Sequence, residues 1–428
     1  MLLSFYIHPL ICVVIDQFLS YEILTAITKT LEHNVIKIAH ISTGLETGGA
    51  EVQLTRLLEK FDKNKFEMIV ISLDKETYLA DRIRNEFKLP VHSLQLKQNP
   101  LNIRKAYKIL KEFNPDIIHG TMYEGGVVGT LFNKFLPNKP PVIWTVHEGL
   151  EHYRKEIFRK QVQLRIWGLI SNLPDCMMYV SHLNCEQHLN WGFKNKKALV
   201  MTNGVDTQTF KPNPNARQKI RESLSIPQDA FVIGITARFH PVKNHAGFLR
   251  AAALLTKKLN KAHPDVHFVM AGTDIDENNT ELMEIVNVNN LQNNVHMLGN
   301  REDIPDIVNA YDVAALTSIG EAFPLTLGEA MATAVPCVAT NVGDNEFIIK
   351  DTGRVVPVND DQALANAWQE LLEMDKDEFK RLGESALQRA LDNFTLKKQV
   401  QEHESLYESL HNHNIEKRSR LGHAEPSA

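Results

Sequence analysis

Cysteine is scarce in this chain. Cys12, Cys176, Cys185 and Cys337 are the only four in 428 residues, with no C-x-x-C pair and no short-spaced Cys/His cluster. Such spacing argues against a disulfide scaffold and a zinc module, and it fits a reducing cytoplasm. A basic surplus is lacking too. The formal net charge is −5, which argues against a dedicated nucleic-acid partner and leaves room only for local basic patches. No internal repeat is visible. The apolar opening MLLSFYIHPLICVVIDQF has no basic flank, contains His8 and Pro9, and ends at Asp16. It is too short to span a bilayer and is read as neither a signal peptide nor a transmembrane segment.

What is present suffices for two cores: 43% of residues are hydrophobic and 23% charged, as in globular proteins. Strand-length apolar runs alternate with helical segments, first VIKIAHIS, FEMIVISL, VHSLQL, DIIHGT, VIWTVH, CMMYVS and ALVMTN. The polar, turn-rich stretch Thr202 to Asn215 then reads as a hinge. Alternation resumes with FVIGITARF, VHFVMAG, VHMLGN, DVAALTS, PCVATNV and RVVPV. This pattern predicts an α/β protein of two doubly wound, Rossmann-like domains. A last helix is expected over DNFTLKKQVQEHESLYESL, followed by a mobile polar tail from His413 to Ala428.

The stretch Asp312 to Asp344 carries the most chemistry. It predicts a strand (Asp312 to Ser318), an acidic loop, a helix with Pro324 in its first turn, and a second strand (Cys337 to Val342). Free amides of that turn, with the positive end of the helix dipole, suit a phosphate or a sugar edge. Glu329 offers an acceptor-only carboxylate suited to a ribose diol, and Glu321 stands where a second sugar could be read. In ITARFHPVKN, Arg238 ends a strand and Lys243 follows in a Pro-broken loop, so the two cations are expected over one crevice. In TGLETGGAE, Gly48 and Gly49 precede a helix and allow close backbone approach. His147 follows a strand in TVHEG. Asp274 and Asp276 form a D-x-D that reads as a solvated turn, not a metal site.

SIGEAFPLTLGEAMATAVPCVAT, with GGAE and the Arg238/Lys243 pair, resembles the donor motif of the large group 1 family of retaining nucleotide-sugar glycosyltransferases, which have the GT-B fold. The resemblance runs from about residue 35 to 410. It implies two Rossmann-like domains facing a central cleft, an acceptor domain over 35–205 and a nucleotide-sugar domain over 206–395. Residues 396–428 would be a cross-over helix and polar tail, and 1–34 an extension of unclear role, since members commonly begin near Val35.

The family likeness further implies that His147, Glu321, Arg238 and Lys243 serve catalysis. The donor would be bound by Gly48, Gly49, Arg238, Lys243, Arg301, Glu321, Ala322, Phe323, Pro324, Leu325 and Glu329. It also implies a UDP- or GDP-linked sugar as substrate, a glycan, lipid-linked or small-molecule acceptor, and no metal or other cofactor. Location is expected in the cytoplasm, with peripheral contact at the inner membrane face through His152 to Ile170 as an alternative to a plain helix covering the sheet. The chain departs from the family's Gly-Gly-x-Pro-Glu run, having Val342-Gly343-Asp344-Asn345-Glu346. A nucleotide-sugar epimerase and a non-catalytic two-lobed binding protein are the competing readings.

Overall fold

The computed structural model describes residues 35–422 except 47, 76, 151–157, 195–196 and 260–262. The extension 1–34, the start of the basic segment and residues 423–428 lie outside the described residues.

Two parallel sheets form. The first has the order β3-β2-β1-β4-β5-β6-β7, built from Ile36–Ser42 (β1), Phe66–Ser72 (β2), Val91–Ser93 (β3), Ile117–Thr121 (β4), Val142–Val146 (β5), Cys176–Tyr179 (β6) and Ala198–Val200 (β7). The second has the order β10-β9-β8-β11-β12-β13, from Phe231–Thr236 (β8), Val266–Ala271 (β9), Val295–Met297 (β10), Val313–Leu316 (β11), Cys337–Thr340 (β12) and Gly353–Val356 (β13). Every predicted apolar run supplies one strand, because strands covered on both faces by helices read as continuous Val/Ile-rich segments. Strand order reverses between β1 and β4, and again between β8 and β11. These reversals open crevices at the carboxyl ends of the strands, where ligands bind in sheets of this kind.

β11 is shorter than predicted, and Asp312 stands just before it, its N–H donating to the Val232 carbonyl at 2.8 Å while its side chain ties neighbouring segments together. Its carboxylate accepts from the Val232 N–H at 2.7 Å, from Arg217 at 2.6 Å and from Arg221 at 2.8 Å. Arg221 is fully buried and also donates to the carbonyls of Ala230 and Ala310. Its charge is therefore both paired and hydrogen-bonded, the condition for tolerating a cation in a core.

The chain returns to the first sheet at its end. Val205 N–H donates to the Phe394 carbonyl at 2.7 Å and Leu396 N–H to the Val205 carbonyl at 2.8 Å. The cross-over helix Leu396–Gly422 then buries Leu396, Val400, Leu406, Tyr407 and Leu410 in the core of the first sheet. The expected tail from His413 is instead helical as far as Gly422. Good helix formers such as Glu416, Lys417 and Arg420 favour this, and Arg418 donates to the Asn138 carbonyl.

The helix Phe158–Ile170 is apolar on two sides, which is why its faces do not separate in the sequence. Leu164 is buried and Trp167 stacks on Tyr123 with centroids 4.2 Å apart. Val162, Ile166, Leu169 and Leu173 form an outward stripe, with Leu169 78% exposed.

Candidate active site

The loop after β11 is pinned before it reaches the cleft. Thr317 Oγ1 donates to the Lys243 carbonyl at 2.9 Å and Ile319 N–H to the Val242 carbonyl at 2.8 Å, tying the β8 and β11 loops together. Lys243 thereby meets the acidic loop: its Nζ lies 2.5 Å from Glu321 Oε1, which also accepts from Ser318 Oγ at 2.6 Å. Pro324 caps the helix Leu325–Ala332 from just outside its first turn (φ −72°, ψ 122°), one position earlier than expected. The first-turn amides still lack intrahelical partners, and Leu325 and Thr326 line the cleft.

Two compartments adjoin there. One, of about 530 Å³, is lined by Gly48, Gly49, His147, Lys243, the segment Glu321 to Thr326, and Glu329. The other, of about 650 Å³, is lined by Arg238, Gly272, Asn300, Arg301 and Glu329 among others. Both are of ligand size. Every sequence-predicted site residue lies on this cleft, but Arg238 and Lys243 stand in different compartments on either side of a shared wall. Val52, Arg56 and Glu329 form that wall.

Arg238 follows β8 where two loops touch. Gly272 has φ +153°, and a Cβ there would sit 2.1 Å from the Ala237 carbonyl oxygen, so only glycine permits the approach. Across the cleft, burial raises the Glu51 carboxyl above its usual range, and the positive charge of Arg238 opposes that rise. Arg301 is held by Asp303 at 2.6 and 2.7 Å on the outer rim.

His147 ends β5. Burial, with the nearby His403, lowers it to about 4, so the ring is neutral near pH 7, and its Nδ1 is buried without a hydrogen-bond partner among the described residues. Behind it lie His40, His119 and His403. His119 bonds Tyr407 at 2.7 Å and Thr145 at 2.5 Å, His403 bonds the Gln399 carbonyl at 2.8 Å, and both ring nitrogens of His40 lack partners among the described residues.

Two site features escaped the sequence. Glu329 is not free but paired with Arg56 of the helix Gly49–Lys60, at 2.9 Å. Asp344, inside the departing Val342 to Glu346 run, accepts from His182 N–H at 2.7 Å and Leu183 N–H at 2.9 Å on the first-sheet side. Gly343 (φ +54°) makes the turn that brings it there. Nothing in the local pattern marks either contact, because both join segments more than 150 residues apart. Asp274 and Asp276 do form a turn: Asp274 is left-handed (φ 61°), and Asp276 accepts from the Asn278 N–H at 2.8 Å.

Comparison with known proteins places this architecture. The family model described as "Glycosyl transferases group 1" matches residues 216–389, and that described as "Glycosyltransferase Family 4" matches 47–209. A UDP-Gal:alpha-D-GlcNAc-diphosphoundecaprenol alpha-1,3-galactosyltransferase of Escherichia coli is 27% identical over 393 residues, covering 88% of this chain and 97% of the relative. The crystal structure of Anabaena HepE in complex with UDP superposes with a TM-score of 0.76 at 22% identity, covering 87% of this chain and all of that one. Sucrose-phosphate synthase from Thermosynechococcus elongatus gives 0.73 at 20% identity, covering 88% and 99%. Both share the GT-B arrangement of two facing sheets.

Proposed function

This chain belongs to the group 1 glycosyltransferases, and we propose that it transfers a sugar from a UDP-sugar, with retention and without a metal, to a hydroxyl of a lipid-linked acceptor. The supporting observation is a pair of adjoining, ligand-sized compartments with one cation in each, Lys243 and Arg238, on either side of a shared wall. A nucleoside fits the side of Gly272, Asn300 and Arg301, a sugar fits the side of His147 and Glu321, and the diphosphate would cross between Arg238 and Lys243. As the sugar–phosphate bond breaks, the leaving diphosphate gains charge. Fixed cations and the helix end at Pro324 oppose that charge most strongly late in the step. Glu321 is engaged by Lys243 and Ser318, which favours a front-face route in which the departing phosphate takes the proton of the acceptor hydroxyl. The neutral His147 would orient a sugar hydroxyl.

The uridine base and the lipid diphosphate acceptor are carried over from the E. coli relative. A lipid acceptor agrees with the outward Val162, Ile166 and Leu169 stripe, which bears Arg165 beside it and would rest on the inner membrane face.

The test is to incubate the protein with UDP-, GDP- and ADP-sugars, with and without a polyprenyl diphosphate-linked sugar, and to follow nucleotide release and product anomer. UDP release that requires the acceptor, with an unchanged anomer, is expected. Interconversion of the donor sugar with no acceptor present would turn the reading to an epimerase.

A further inference from the structure

Arg56 belongs to the first sheet's side, on the helix Gly49–Lys60, yet its guanidinium reaches the carboxylate of Glu329 on the second. Nη2 lies 2.9 Å from Glu329 Oε1, and the guanidinium carbon stands 5.8 Å from the ring centroid of the buried Phe210. Nη1 is buried with no hydrogen-bond partner among the described residues. Glu329 is only 6% exposed, and Oε2 has no hydrogen bond among the described residues.

A carboxylate has roughly four lone-pair sites. Arg56 fills one of them and leaves the second oxygen free at the wall between the compartments. The planar guanidinium, placed over the Phe210 ring, meets that carboxylate through one directed Nη2 contact, a geometry that a flexible ammonium holds less well.

Resting on the donor reading above, we infer that Arg56 is a positioning residue for the nucleotide. It orients Glu329 so that the free oxygen accepts from the vicinal ribose hydroxyls, and so makes ribose recognition depend on the two halves of the cleft being together. The sugar-reading carboxylate comes from one half of the molecule and its orientation from the other.

The experiment compares dissociation constants for UDP and 2′,3′-dideoxy-UDP, by calorimetry, in the full chain and in Arg56→Ala, Arg56→Lys and Glu329→Gln. Thermal unfolding confirms that each variant is folded. A hydrogen bond to a charged group corresponds to roughly ten- to a hundredfold in affinity, so the wild type should prefer the ribose compound by about that factor. Arg56→Ala should bring the preference close to one while leaving dideoxy-UDP affinity within about twofold of wild type. Glu329→Gln should do the same, and Arg56→Lys should restore part of the preference. A purely structural Arg56, or one that only contacts phosphate, would weaken both ligands equally and keep their ratio, which overturns the inference. Wild-type protein that binds neither compound would instead overturn the donor reading, and this inference with it.

Discussion

Asp344 joins the second sheet's side to His182 on the first: one carboxylate oxygen accepts the His182 backbone N–H at 2.7 Å and lies 3.2 Å from its Nδ1. The other oxygen takes the Leu183 N–H at 2.9 Å. A negative charge at the start of the helix His182–Asn190 complements the helix dipole, and Asp344 is 4% exposed, so solvent screens the contact little.

Replacing Asp344 with Ala should therefore weaken the link between the two halves of the molecule without touching the compartment of Arg238. Stability should fall by about 1.5–3 kcal/mol, the size of a charged hydrogen bond, and kcat should fall while UDP affinity stays near wild type. Urea unfolding and calorimetry on the same protein check both halves. Unchanged turnover would separate this contact from catalysis.

Lys243→Ala and Arg238→Ala should each weaken UDP binding roughly ten- to a hundredfold. They should lower kcat as well, because the leaving group's charge is greatest late in bond breaking. The two differ in one respect. Lys243→Ala also leaves Glu321 without its cation, so adding Glu321→Gln to it should cost less than it does in the wild type. A double-mutant cycle on kcat measures that coupling.

His147→Ala removes a ring that lines the compartment of Glu321 and not that of Arg238. Affinity for bare UDP should change by less than about twofold, whereas kcat with donor and acceptor should drop. Loss of nucleotide binding would show that the ring supports the nucleotide side instead.

Stability should decline in acid through the buried histidines. Burial lowers His40 to about 3 and His403 to about 4, with His40 further lowered by the charge of His403. The unfolded chain takes up a proton near pH 6.5 while the folded chain resists, so the stability is complete above 6.5 and is lost as pH falls toward those values. Each group contributes about 1.4 kcal/mol per pH unit inside that window. His40→Leu removes one such group together with two unpartnered nitrogens, and its melting temperature should fall less steeply from pH 6.5 to 4.5. A slope equal to that of wild type would clear His40.

Chelation should leave the rate intact, because Arg238, Lys243 and the helix end at Pro324 offer positive charge where the diphosphate would lie. Loss of activity in EDTA, regained with Mn²⁺ or Mg²⁺, would return attention to Asp274 and Asp276.

Legibility in the sequence followed the range of the interaction. Strands such as Phe231–Thr236 announce themselves because burial on both faces writes itself into consecutive residues. Gly48, Pro324, Glu329 and Lys243 were readable because strand ends, a helix start and a turn locate them relative to their own segment. Arg56 was not: helical periodicity says that it lies on a helix, not that its face meets another sheet. Asp344 departs from a family pattern in its own segment, and its role is set by the helix at His182, 162 residues away in the chain. The separation of Arg238 from Lys243 depends on how the Gly49–Lys60 helix divides the cleft, which no local spacing encodes.

The placement of Leu396, Val400, Tyr407 and Leu410 in the core of the first sheet sets an order of assembly during synthesis. On the ribosome, the second sheet and its helices are complete once Asn393 has emerged. The first sheet, although made earlier, still lacks the wall that Tyr407 supplies to His40, His119 and Phe61. Nascent chains therefore carry an open apolar face on the first sheet until the segment from Leu396 to Leu410 has emerged. A stop codon placed just after Asn393 would leave that face exposed for good, yielding a product that engages chaperones or aggregates even though both sheets are fully encoded.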